Sequence, residues 1–249
     1  MLFVAAFWRL DPFTAEVVHD YGFQNFRLLW ESDVYRTIAQ RTVLIAAAVT
    51  VTDAVLAFPI AFYMAKVASP RTRNLLVVAI LLPLWASYLV KVYAWRVILQ
   101  EQGVLNWALS PLGLSGPGFG NVATWLVFSY LWLPFMILPV YAGLERIPSS
   151  LLEASADLGA HGGRTLRRIV FPLALPAIAA GSIFTFSLTL GDYITPALVS
   201  STQFIGNVVF INVGVANNLP FAAAFATVPV AVMVVYLLLA RRAGAFDSL

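Results

Sequence analysis

Long apolar runs alternate with short polar ones along this chain, and the runs exceed what a soluble core requires. A helix crossing roughly 30 Å of hydrocarbon needs about 20 apolar residues. Five stretches reach that length, at residues 42–64, 74–95, 121–142, 171–191 and 220–240. Turn residues separate them, among them Ser69-Pro70, Gly116-Pro117-Gly118 and Asn217-Asn218. The opening run, Met1 to Trp8, is too short to span and is ended by Arg9 and Asp11-Pro12. It is expected to be the tail of a sixth helix whose beginning is missing. The pattern thus predicts an all-α polytopic membrane protein, residues 1–249 forming one domain with five complete spans and a remnant of another.

Composition strengthens this expectation and narrows the chemistry. The chain is 61% hydrophobic and 11% charged, with a mean hydropathy of +0.85. Soluble domains average about 45–50% apolar and about 25% charged residues. There is no cysteine, hence no disulfide framework and no thiolate nucleophile or metal ligand. A net charge of +3 and a pI near 9.3 raise nucleic acid as a partner. The basic residues, however, cluster near span ends, where membrane topology accounts for them.

Their distribution also orients the chain. Lys66, Arg71 and Arg73 flank the first connection; Arg146, Arg164, Arg167 and Arg168 occupy the third; Arg241 and Arg242 follow the last span. Residues 101–120 and 192–219 contain neither Lys nor Arg. By the positive-inside rule the C-terminus and the third connection face the cytoplasm. Lys91 and Arg96 are exceptions, either snorkelling to the outer interface or lining a wet cavity. The mixed-charge segment 11–41 falls outside, where an amphipathic interfacial helix is expected.

The third connection is unusually elaborate. Ser150-Leu151-Leu152-Glu153 matches the S-x-x-E capping box, in which hydroxyl and carboxylate each satisfy an amide of the helix start. A short helix should begin near Ser150. Gly159 is placed to end it in the left-handed conformation, and Gly162-Gly163 offers a second hinge. Thr165 to Phe171 can form another turn or two, with Arg164, Arg167 and Arg168 on one face, before Pro172. Two readings stand: an interfacial loop obeying the charge rule, or a rigid knob that docks in a partner's groove.

At these residues the chain resembles a known family. Glu153-Ala154-Ser155, then Gly159, then Ile169-Val170-Phe171-Pro172, is similar to the EAA loop of ABC importer permeases, with Ser155 standing where the family prefers alanine. Leu82-Pro83-Leu84-Trp85, Ala57-Phe58-Pro59 and Leu190-Gly191-Asp192-Tyr193 extend the likeness to the spermidine/putrescine-type permeases. The resemblance implies a bacterial inner-membrane subunit that performs no bond chemistry and holds no cofactor. It also implies partners: two ATPase subunits, a second permease subunit and an extracytoplasmic solute-binding protein, with no nucleic acid. Residues 149–172 would be the coupling loop, with Ser150, Glu153, Ala154, Ser155, Leu158, Gly159, Arg164, Arg168 and Pro172 as its ATPase-coupling residues. The absence of a G-x-x-x-x-G-K-[ST] loop agrees.

Candidate pathway residues follow from the cost of charge in lipid, about +2.5–3.5 kcal/mol on insertion scales. Asp53 lies mid-span, either facing the pathway or bonded within the bundle to Thr50 or Thr52. Asp192-Tyr193 ends the fourth complete span, where a carboxylate and an aromatic face suit an elongated cation. Trp85, Tyr88 and Tyr93 can add rings or belong to the interfacial aromatic belt. His19 and His161 stand alone, so no metal constellation is present. A polytopic enzyme lacks raw material for a catalytic cavity, and an ion-coupled transporter should carry several intramembrane acids and an inverted repeat. Within the permease reading, iron, sulfate, thiamine or opines are the other solutes weighed.

Overall fold

The computed structural model describes residues 2–242. The secondary structure is helical apart from one antiparallel pairing of two-residue strands, β1 (Arg9–Leu10) and β2 (Val17–Val18). Among the described residues four helices are long and apolar enough to cross a bilayer: Asp33–Val67, Asn121–Glu145, Gly162–Gly191 and Leu219–Arg242. Pro70–Trp85 and Tyr88–Leu99 meet at a bend of 92° and make a fifth crossing if the pair is one span. The apolar stretch over 74–95 is thus carried by two helices rather than one. Pro83 removes a backbone donor inside the first half, and Ala86 is extended with ψ 142°, which ends that half.

The elements run α1 (Leu2–Ala5), α2 (Gln24–Glu31), α3 (Asp33–Phe62), α4 (Pro70–Trp85), α5 (Tyr88–Leu99), α6 (Val104–Leu109) and α7 (Asn121–Glu145). They continue with α8 (Ser149–Asp157), α9 (Gly162–Thr165), α10 (Phe171–Gly191), α11 (Ile194–Val199), α12 (Ile205–Gly214) and α13 (Leu219–Arg242). Residues 11–41 are not one element: they hold β2, α2 and the first turns of α3. The N-terminus of α4 shows how local chemistry sets a boundary. Ser69 caps it by accepting the Thr72 amide at 3.3 Å, and Pro70 occupies the first helical position, where no donor is required.

The chain divides into two compact units, and every boundary falls inside a helix. One unit gathers the chain up to Ala48 with Leu89–Phe128 and Ser187–Val235. Its core joins Ile38, Ile205, Val208, Phe221, Ala224 and Phe225. Buried Thr42 on α3 accepts the Ile205 amide at 3.1 Å, which fixes the start of α12. The other unit comprises Val49–Tyr88, Ser129–Phe186 and the chain from Tyr236 on. Its core centres on Ala57, Ala61, Met64, Met136, Ile137, Val140, Leu144 and Ala174. Here α7 and α10 approach closely, for a Cβ built on Gly143 would lie 2.3 Å from that of Ala177. Small residues permit such backbone contact between membrane helices.

Candidate coupling elbow and solute path

The polar connection after α7 folds into a short helix and a sharp turn. Pro148 occupies the N-cap of α8 with ψ 140° and offers no side-chain cap. The capping box expected from Ser150 and Glu153 is thus absent. Helical geometry already begins at Ser149, so Ser150 lies inside the first turn and Glu153 lies beyond the reach of the cap. Both side chains are exposed, as is Ala154.

The other end matches expectation. Gly159 takes φ +73°, its amide bonds the Ala156 carbonyl at 2.8 Å, and the Ala160 amide bonds the Ser155 carbonyl at 3.0 Å. These two bonds form a Schellman motif, which uses carbonyls the helix end would leave unpaired. Only a residue tolerant of positive φ fits there, hence glycine. Leu158, beside the turn, is 87% exposed.

Gly162-Gly163 does not form a second hinge. The two glycines make the first turn of α9, which continues without interruption to Gly191. Residues Leu166–Val170 widen into a π-turn, with the Phe171 amide bonding the Leu166 carbonyl. Pro172 follows directly. It has no amide to donate, and a widened turn accommodates its ring. Arg164, Arg167 and Arg168 are exposed on this helix start.

Ser155, the departure from the EAA pattern, is 6% exposed, and its hydroxyl lies 2.8 Å from that of Thr165. It joins the third-last residue of α8 to α9. An alanine could not make this bond. A second set of contacts holds the near end of the elbow. Lys66 Nζ donates to the Ile147 carbonyl at 2.5 Å, and Arg73 pairs with Glu145 at 3.2 Å. Sequence reasoning passed over Thr165, Lys66, Arg73 and Glu145, because the positive-inside rule already accounted for the cations.

The six pathway candidates divide between the two compact units. Asp53, Trp85 and Tyr88 belong to one compact unit, and Tyr93, Asp192 and Tyr193 to the other. Asp53 is 0% exposed, near Ser129 of α7, and neither carboxylate oxygen accepts a hydrogen bond from a described residue. It is an interior residue of its unit. The alternative bond to Thr50 is not made either; Thr50 faces Thr185, hydroxyl to hydroxyl at 3.4 Å.

Asp192 has a local task. Its Oδ1 accepts the amides of Ile194 at 2.8 Å and Thr195 at 3.0 Å, and Oδ2 accepts the Thr195 hydroxyl at 3.2 Å. The carboxylate thus satisfies the open amides of α11. Tyr193 stacks on Phe210 with centroids 4.5 Å apart, and its carbonyl accepts Asn207 Nδ2 at 2.7 Å. Gly206 lets α12 come this close, for a Cβ there would meet the Asp192 carbonyl at 2.7 Å. Buried Asn207 also accepts the Phe204 amide at 3.1 Å, so one amide side chain fixes both strands of chain. Trp85 is 86% exposed, Tyr93 is exposed, and Tyr88 stacks on Trp132.

Residues 57–246, more than half of the chain, match the sequence profile described as binding-protein-dependent transport system inner membrane component. The chain belongs to this family. It is a permease subunit of an ABC importer, an inner-membrane protein and not itself an enzyme. The inner membrane ABC transporter permease protein YdcU of Escherichia coli K12 is 48% identical, the alignment covering 98% of this chain and 82% of that one. The spermidine/putrescine transport system permease protein PotB of Haemophilus influenzae is 30% identical, over 81% of this chain and 72% of that one. A bacterial alginate ABC transporter, solved in complex with an alginate pentasaccharide-bound periplasmic protein, shares the fold with a TM-score of 0.72 at 19% identity. That match covers 88% of this chain and 81% of the other. The MetNI methionine ABC transporter follows at a TM-score of 0.65 and 16% identity, over 87% and 95% of the two chains.

Proposed function

We propose that this ABC importer permease helps form the translocation path for a polyamine such as spermidine or putrescine, or a similar small cation. The elbow carries the energetic half of the reading. Exposed Leu158 at the tip of a glycine-closed helix is the shape that docks in a groove of an ATPase subunit. Two such ATPase subunits, a second permease and an extracytoplasmic binding protein complete the importer. ATP binding would close the ATPase pair and displace the docked elbow, a rigid-body transition. Glu153, Ala154 and the arginines at 164 and 168 are exposed as well.

The polyamine half is supported by likeness to the PotB relatives and by aromatic faces. Tyr193, Trp85, Tyr88 and Tyr93 offer rings for cation–π contact, worth about 0.5–2 kcal/mol each. Asp192 contributes by holding α11 in place. The test is uptake of radiolabelled putrescine and spermidine by cells carrying the complete importer. Gly159→Asp and Leu158→Asp should abolish uptake and release of the ATPase should accompany it, while the subunit still inserts in the membrane. Normal uptake by a well-expressed Gly159→Asp variant overturns the docking role. Uptake of another solute, with no polyamine competition, overturns the substrate and leaves the importer.

A further inference from the structure

The covalent chain joins α8 only to α7 and α9, yet a set of side-chain contacts joins its near end to a different pair of helices. Lys66 lies in the wide turn that ends α3, where the Ala68 amide reaches back to the Tyr63 carbonyl at 2.8 Å. From there Lys66 donates to the carbonyl of Ile147, the residue immediately before the Pro148 cap. Arg73, in the first turns of α4, uses its fork twice. Nε donates to the Met64 carbonyl at 3.2 Å, and a terminal nitrogen donates to Glu145 at 3.2 Å. The same Glu145 oxygen accepts the Tyr141 hydroxyl at 3.1 Å. All of these residues belong to one compact unit.

We infer that Lys66 and Arg73 clamp the junction of α7 and α8 to the turn between α3 and α4, so that displacement of α8 is carried into α4. The inference rests on the docking role proposed for α8. Its physical basis is stiffness, not stability. Exposed ion pairs contribute little to folding, but a guanidinium bonded at two separate points holds a fixed direction in a way a single contact does not. Lys66 meets a backbone carbonyl rather than a flexible acid, so that tie follows the backbone of the elbow itself. Without the clamp, α8 could move while α4, which ends at exposed Trp85, stayed behind.

The chain contains no cysteine, so spin labels can be placed without background substitutions. One pair joins Leu75→Cys on α4 to Leu238→Cys on α13; a control pair joins Leu173→Cys on α10 to the same Leu238→Cys. The whole importer, purified through a tag on this subunit and held in nanodiscs, is measured by pulsed electron resonance with and without ATP and vanadate. The expected result is an ATP–vanadate shift in both pairs for the parent. In Glu145→Gln the α4 shift falls to less than about half while the α10 shift persists. The exchange Arg73→Glu with Glu145→Arg re-forms the ion pair but not the bond to the Met64 carbonyl, and restores part of the α4 shift. An undiminished α4 shift in Glu145→Gln, a failed restoration, or an α4 that never shifts in the parent overturns the clamp. So does loss of the ATPase subunits from Glu145→Gln, which would make these residues part of docking. Failure of the docking reading is seen separately, as ATPase retained by Leu158→Asp.

Discussion

At the residue scale, the burial of two carboxylates separates chemistry from architecture. Asp192 was singled out in the sequence for its charge, but in the structure it accepts three hydrogen bonds at the start of α11. A cap needs an acceptor and not a charge, and Asn caps nearly as well as Asp, whereas Ala costs about 1 kcal/mol. Asp192→Asn should therefore keep both the melting temperature and the uptake of the importer, and Asp192→Ala should lower both. Thermal unfolding of the purified complex beside uptake assays checks this. Loss of uptake in Asp192→Asn at an unchanged melting temperature would assign the carboxylate to the solute instead. Asp53 was equally legible as an intramembrane acid, and equally illegible in direction. One position in a helix does not reveal which neighbour will cover it, and here the bundle covers it completely. Ser155 taught the reverse. A small departure from a family pattern marked a real bond, to a threonine ten residues away that no local signal named.

At the element scale, what the sequence states clearly is where helices must stop. Gly159 was readable because positive φ has a residue signature, and the Schellman bonds are present. The start of α8 at Ser149 is where the sequence puts it, next to Ser150, but the capping box is missing because Pro148 holds the N-cap and contributes no side-chain acceptor. The break of 92° between α4 and α5 was invisible for a different reason. Hydropathy is the same on both sides of a bend, and the period of apolar residues reports membrane depth rather than direction. The seam of α7 and α10 was likewise unread, since glycines are frequent in membrane helices for several reasons. It makes a sharp prediction. A methyl group at Gly143 would lie 2.3 Å from the Ala177 Cβ, and overpacking of this kind costs about 1–3 kcal/mol. Gly143→Ala should lower the melting temperature and the monodisperse yield, and Ala177→Gly added to it should return most of both. Additive losses in the double variant would show that the clash is relieved elsewhere.

At the scale of the whole molecule, the charge pattern and the span count make a joint claim about sidedness. Basic residues near span ends face the cytoplasm because carrying them across is costly. The rule places the elbow on the side of Lys66, Arg73, Arg146 and Arg241-Arg242, and the 101–120 connection, which has no Lys or Arg, on the other. The broken α4–α5 element is the hinge of that claim. If α4 and α5 together cross once, the alternation stands; if they turn back, every later connection changes sides. A cysteine-free chain makes the question direct. Leu158→Cys and Trp107→Cys both lie at exposed positions. In intact cells an impermeant maleimide should label Trp107→Cys and spare Leu158→Cys, and in inside-out vesicles the reverse should hold. Labelling of Leu158→Cys in intact cells, with Trp107→Cys spared, would mean that α4 and α5 form a re-entrant turn. The elbow would then lie across the bilayer from the compartment that holds ATP, and a docking role for α8 could not survive it.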